Sequence, residues 1–222
     1  TSYSIIVGGT GSGDVNEAYS VSLVEGLQHS GLSINENLQH MYDAYINAVK
    51  EGRPKQQGLM ALMMGSAPIA EFGVTDNLAT SMAEVSDVAL ITIGRNAGEG
   101  RDRSAGEGDF KLTASEQELL KNVTTAFHAK NKKVVVILNI GGVIETASWK
   151  DLPDAILLAW QAGQEGGNSI ADILTGKANP SGKLAQTFPV KYEDVPSAAT
   201  FPGKELPSNE PKDKSPMSFM RG

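Results

Sequence analysis

The chain has 222 residues, no cysteine and a formal net charge of −7. That length suits one large α/β domain, and the missing cysteines exclude a disulfide framework and thiolate chemistry. The acidic balance argues against nucleic acid as a partner, and no apolar run reaches membrane-spanning length, so no membrane partner is expected. The chain opens on Thr1-Ser2-Tyr3-Ser4 without a signal-peptide pattern and closes on Phe219-Met220-Arg221-Gly222. Both ends are expected of a piece of a longer polypeptide.

In chain order, residues 4–7 read as a first strand. Gly8-Gly9-Thr10-Gly11-Ser12-Gly13 follows, and Asp14 with Glu17 resembles a capping box opening a helix to about His29, where Gly31 stops it. A strand, a glycine loop and a helix invite a nucleotide reading. The spacing Gly9-x-Gly11-x-Gly13 is not the dinucleotide fingerprint, however, and no P-loop lysine follows, so a tight turn is preferred. Residues 32–34 suit a short second strand. Leu38, Met41, Tyr42, Tyr45, Ile46 and Val49 fall on one helical face, expected to be core. Residues 53–73 lack periodicity and read as an excursion, with Glu71 a solvated carboxylate. Residues 75–83 suit a short helix.

Val88 to Ile93 is an apolar run of the kind found in buried strands. It empties into Gly94-Arg95-Asn96-Ala97-Gly98-Glu99-Gly100-Arg101-Asp102-Arg103, and the loop runs on through Gly106-Glu107-Gly108. Ligands of open α/β sheets sit beyond the carboxyl ends of strands, and a loop this long suits function. Glu99, between two glycines, projects a carboxylate from a flexible tip and is the candidate acid. Thr113 and Glu116 form a capping box for a helix to about Asn131. Residues 133–138 are the clearest buried strand, and 154–160 another. Gln164-Glu165 reads as capping at the start of a helix over 169–174, and 184–188 as a last strand. Three scattered histidines make a metal cluster or histidine triad unexpected.

The alternation predicts an α/β fold: a mostly parallel sheet of about six strands with helices on both faces. The domain is expected over residues 1–190, with 191–222 an extended Pro/Lys-rich tail.

Several motifs now combine: Gly8-Gly9-Thr10-Gly11-Ser12-Gly13-Asp14, Gly98-Glu99-Gly100-x-Asp102-Arg103, Trp160-Gln161-Ala162-Gly163-Gln164-Glu165, and Asn179-Pro180-Ser181-Gly182-Lys183-Leu184 before Thr187-Phe188-Pro189. Together they resemble the C-terminal α/β domain of glycoside hydrolase family 3, most closely that of bacterial β-glucosidases. The resemblance implies an (α/β)6 sandwich packed on a (β/α)8 barrel of the same parent chain, and a β-glucoside or oligosaccharide substrate. It implies retaining hydrolysis of terminal β-D-glucosyl residues, with an aspartate nucleophile in the barrel and no cofactor or metal. The acid/base role falls on Glu99, with Glu107 the nearest competitor. Asp102 and Arg103 match the family's Asp-Arg pair and are expected to order the loop. The barrel is absent from this chain, so the chain alone is expected to be inactive. Two other readings stand beside this one. One is a non-catalytic subsite or interaction domain of a related xylosidase or N-acetylglucosaminidase. The other is a nucleotide-binding flavodoxin-like module.

Overall fold

Residues 133–138, the clearest strand of the sequence, lie at the centre of a parallel sheet. The computed structural model describes residues 2–13, 16–53, 69–99 and 102–203. Among them are the strands β1 (Val88–Arg95), β2 (Lys133–Ile140) and β3 (Ala155–Leu158), with β2 in the middle. Val88 pairs with Lys133 and Arg95 with Ile140, while Val135 pairs with Ala155 and Leu138 with Leu158. The helices are α1 (Leu23–His29), α2 (Glu36–Glu51), α3 (Asp76–Val85), α4 (Ala114–His128) and α5 (Gly166–Leu174).

Side chains alternate along a strand, and here both sets are apolar, so both faces are covered. Ile91, Ile93, Val134, Val136, Leu138 and Ile140 pack on α3 and α4, meeting Ala83, Leu120, Val123 and Phe127. On the other face Ile137, Leu90 and Leu157 pack on α1 and α5, through Leu23, Leu27, Ile170 and Ala171. Helices α1 and α5 touch through backbone: a Cβ on Gly26 would overlap the Gly167 carbonyl.

The sheet has three strands among the described residues, not six. Residues 4–7 run over the α1/α5 face without joining it. The side chain of Asn139 takes both backbone groups of Ile6, accepting from its N–H at 2.6 Å and donating to its carbonyl at 2.8 Å. One amide side chain thus does what a neighbouring strand would have done. Residues 32–34 and 184–188 form no strand, and Leu184 is exposed. Asp14 lies outside the described residues, and the first helix starts only at Leu23. Its capping box is Ser22 with Glu25. Residues before it are held extended by backbone bonds, Val21 N–H to the Gln164 carbonyl and Gly167 N–H to the Val21 carbonyl. Those tertiary bonds outweigh local helix propensity.

No residue of α2 is fully buried, and Met41 is exposed, so its tyrosine and methionine stripe is not core. Tyr42 stacks on Tyr3 and meets Phe72, both ring pairs at 5.0 Å. Its hydroxyl donates to Glu71, which also accepts the Phe72 N–H. Glu71 is therefore half-buried and partnered, and its burial raises its pKa.

β1 ends on a buried charge. Arg95 falls on the same alternation as Ile91 and Ile93, so its guanidinium enters the core side of the sheet. It meets Glu116 in a two-pronged pair, Nη1 to Oε1 and Nη2 to Oε2, each at 2.7 Å. Glu116 also accepts the Thr113 N–H, closing the capping box of α4. At the N-terminal ends of β2 and β3, the Asp154 carboxylate accepts from Lys133, from the Val134 N–H and from His128. The hydrogen bond from Lys133, then those from Val134 and His128, hold its pKa well below the usual carboxylate range.

Two outcomes follow from these charges. Arg95→Ala strands the Glu116 carboxylate in the interior and is expected to lower unfolding free energy by about 3–5 kcal/mol in urea melts. Asp154 has a folded-state pKa depressed below the ordinary aspartate value, so its stabilisation is complete above that value and is lost as pH falls further. Asp154→Asn should therefore lower the Tm at neutral pH and flatten its decline below about pH 4.

Candidate functional site

The loop leaving β1 lies directly against the first glycine loop, and the two interleave residue by residue. A Cβ on Gly9 would come within 2.9 Å of the Ala97 carbonyl oxygen. A Cβ on Gly98 would overlap Thr10, and one on Gly11 would lie 2.6 Å from the Glu99 Cβ and 2.8 Å from its Oε2. Glycine at 9, 11 and 98 is what lets two backbones run this close. Gly11 also has a φ of 65°, which disfavours any other residue there. Two hydrogen bonds close the seam: the Glu99 N–H donates to the Thr10 carbonyl at 3.2 Å, and the Thr10 hydroxyl donates to the Glu99 carbonyl at 3.0 Å. The first loop is turned in on itself, Gly9 N–H to the Gly13 carbonyl and Gly13 N–H to the Thr10 carbonyl. Among the described residues no helix opens behind it; a single 3-10 turn spans Gly11–Gly13, and α1 begins ten residues later at Leu23. A phosphate cradle needs a helix N-terminus aimed at the anion, so the nucleotide reading lacks its geometry.

The seam rests on the ends of β2 and β3. The Gln161 amide donates to the Gly8 carbonyl at 3.0 Å and to Asn96 Oδ1 at 2.9 Å, bridging both loops. Gly141, its N–H on the Arg95 carbonyl, leaves room for Ala97. Trp160 is left-handed, with a φ of 50°, and its carbonyl accepts from Asn139 at 2.7 Å. Beyond Gly100 and Arg101, which lie outside the described residues, Arg103 anchors the returning chain. Its Nε donates to Asp109 at 2.6 Å and its Nη1 to the Val143 carbonyl at 2.9 Å. The other Asp109 oxygen accepts the Ser104 N–H.

Glu99 therefore stands as an exposed carboxylate on a loop fixed by backbone, beyond the carboxyl end of β1. Such a group can give and take a proton at an open surface. Among the described residues no group of three His, Cys, Asp or Glu side chains could hold a metal. No described helix is long and apolar enough to cross a membrane.

Residues 4–220 match the family of the glycosyl hydrolase family 3 C-terminal domain. This chain belongs to that family. It is 34% identical over 227 residues to beta-glucosidase A of Butyrivibrio fibrisolvens, covering 90% of this chain and 25% of that protein. The solved structure of beta-glucosidase 3B from Thermotoga neapolitana in complex with glucose is similar at 45% identity and a TM-score of 0.83. That match covers 90% of this chain and 27% of the Thermotoga chain. A shorter match, 38% over 130 residues, reaches an exo-alpha-(1->6)-L-arabinopyranosidase of Bifidobacterium breve, covering 57% of this chain and 16% of that protein. The chain spans about a quarter of the Butyrivibrio and Thermotoga proteins.

Within this family 3 domain the four expected site residues fall in different settings. Glu99 is on the glycine seam, Asp102 is exposed, and Arg103 is half-buried over Gly142. The ion pair of Arg103 is with Asp109, six residues on, and not with its neighbour Asp102. Glu107 is exposed in a tight turn closed by backbone bonds, Lys111 N–H to the Gly106 carbonyl and Gly108 N–H to the Lys111 carbonyl, with Gly108 at a φ of 77°. Glu165 begins α5 but makes no side-chain cap. Its oxygens accept from the Tyr19 hydroxyl and from Asn168, each at 2.6 Å, and the bond from Tyr19 lowers its pKa most. Thr10, Asn139 and Gln161 were not singled out as site residues by the sequence. The glycines on either side of Thr10 and of Glu99 were the available signal.

Asp109 is the test of the lower loop. Asp109→Ala frees Arg103 Nε and the Ser104 N–H, and is expected to cost about 1.5–3 kcal/mol as charge-assisted bonds are lost. Hydrogen exchange should quicken at Ser104 and leave the central β2 amides the slowest in the domain.

Proposed function

We propose that this chain is the proton-transfer half of a retaining β-glucosidase acting on terminal, non-reducing β-D-glucosyl residues, with Glu99 as its general acid and base. The observation that carries the reading is the position of Glu99: an exposed carboxylate whose peptide is held on both sides by Thr10, beyond the carboxyl end of β1. The names of the Butyrivibrio and Thermotoga relatives support the substrate class.

Retaining hydrolysis needs two carboxyl groups about 5–5.5 Å apart. The parent's barrel domain supplies the aspartate nucleophile, which attacks the anomeric carbon. Protonated Glu99 gives its proton to the departing glycosidic oxygen. Ionised Glu99 then takes a proton from the water that attacks the glycosyl–aspartate ester, which returns the aspartate and restores the acid. Docking on the barrel removes water from Glu99 and sets a negative carboxylate near it, and both influences favour the protonated form that the first step requires. Arg103, through Asp109, orders the chain returning from the tip. The shorter match to an arabinopyranosidase supports a glycone pocket built mainly by the barrel.

The test uses the full-length parent enzyme. Glu99→Ala is expected to lower kcat/KM by about 10²–10⁴ on an aryl β-glucoside with a poor leaving group, and far less on a dinitrophenyl glucoside. Azide should restore turnover of the activated substrate by replacing the base-assisted water. Equal small losses on both substrates would move the role to Glu107. The isolated chain is expected to hydrolyse neither substrate.

A further inference from the structure

The glycine loop over residues 8–13 has no role in the chemistry above, and its geometry is not that of an anion site. Its contacts converge instead on Glu99. The geometry points to this loop as the positioning platform of the acid/base, with Thr10 and Gly11 as positioning residues; the inference rests on the acid/base reading of Glu99. Three observations support it. Thr10 holds the Glu99 peptide on both sides, accepting from its N–H and donating to its carbonyl. The Glu99 side chain lies over bare Gly11, where a Cβ would meet its Cβ, Cγ and Oε2. Gln161 ties Gly8 to Asn96, so the platform and the catalytic loop share one support on the end of β3.

A carboxylate on a loop tip gains its rate from being held where the leaving oxygen will be. Glu99 is flanked by glycine, and a glycine-flanked loop loses much conformational entropy on being fixed. Thr10 and Gly11 offset that cost from across the seam. They fix the peptide by two bonds and give the side chain a surface with one open side.

The experiment again uses full-length parent enzyme and compares poor and activated aryl glucosides for Thr10→Val, Thr10→Ser, Gly11→Ala and Glu99→Ala. A displacement of about 1 Å at the acid costs on the order of 100-fold. Gly11→Ala is therefore expected to lose 10- to 100-fold in kcat/KM on the poor leaving group and only a few-fold on the activated one. Thr10→Val should show the same split more weakly, and Thr10→Ser, which keeps the hydroxyl, should recover most of it. The threonine pair carries the test if Gly11→Ala fails to fold. A leaving-group split for Glu99→Ala without one in the Thr10 and Gly11 variants overturns the platform alone. Absence of the split in Glu99→Ala overturns the acid/base reading and the platform with it.

Discussion

A buried guanidinium is the fixed point of this domain. Arg95 stands where β1 gives way to its loop, and all five of its N–H bonds find acceptors: the carbonyls of Gly94, Asp109 and Lys111, and both oxygens of Glu116. Burying such a charge is costly unless it is fully paired, and complete pairing is what makes the arrangement tolerable. The five acceptors come from three parts of the chain. The strand end, the returning loop and the first turn of α4 are gathered on one planar group. Lysine, with a single ammonium point, could not address them together.

From there the order spreads outward. Glu116 caps α4 while it pairs Arg95, so the helix start and the strand end are set in one step. Asp109, whose carbonyl Arg95 holds, uses its carboxylate on Arg103 and Ser104. On the opposite face Asn139 fastens Ile6 and Trp160 to the end of β2, which brings the glycine loop to the place where the β1 loop emerges. A rigid lower layer thus carries an exposed upper one, and the carboxylate at its edge owes its place to groups that are themselves buried.

Much of this was legible in the sequence. The α/β alternation, the central strand, the capping box at Thr113 and Glu116, and the loop carrying Glu99 were all readable from apolar runs and local spacing. Arg95 was legible too, had the alternation of Ile91 and Ile93 been carried two residues further into what read as loop. The expected strands at residues 4–7 and 184–188 failed for a different reason. Both segments have strand-like composition, yet pairing is a tertiary property: Ile6 meets a side-chain amide, and Leu184 lies exposed. The helix expected from Asp14 began at Leu23 because distant backbone, not local propensity, claims residue 21, and Ser22 then caps the helix. The seam between the loops was beyond single-sequence reading, since each glycine is explained by a partner far along the chain.

That seam also restricts how the gene can change length. Positions 9, 10 and 11 lie against 97, 98 and 99, and at each contact a glycine sits where a Cβ would not fit. Inserting or deleting one codon in either loop slides the steps by one. Thr10 then loses bare Gly98 as its neighbour, and a side chain falls where only a glycine fits. Surface loops ordinarily absorb such indels with ease. This pair, though exposed, is held to a fixed length by its own interleaving.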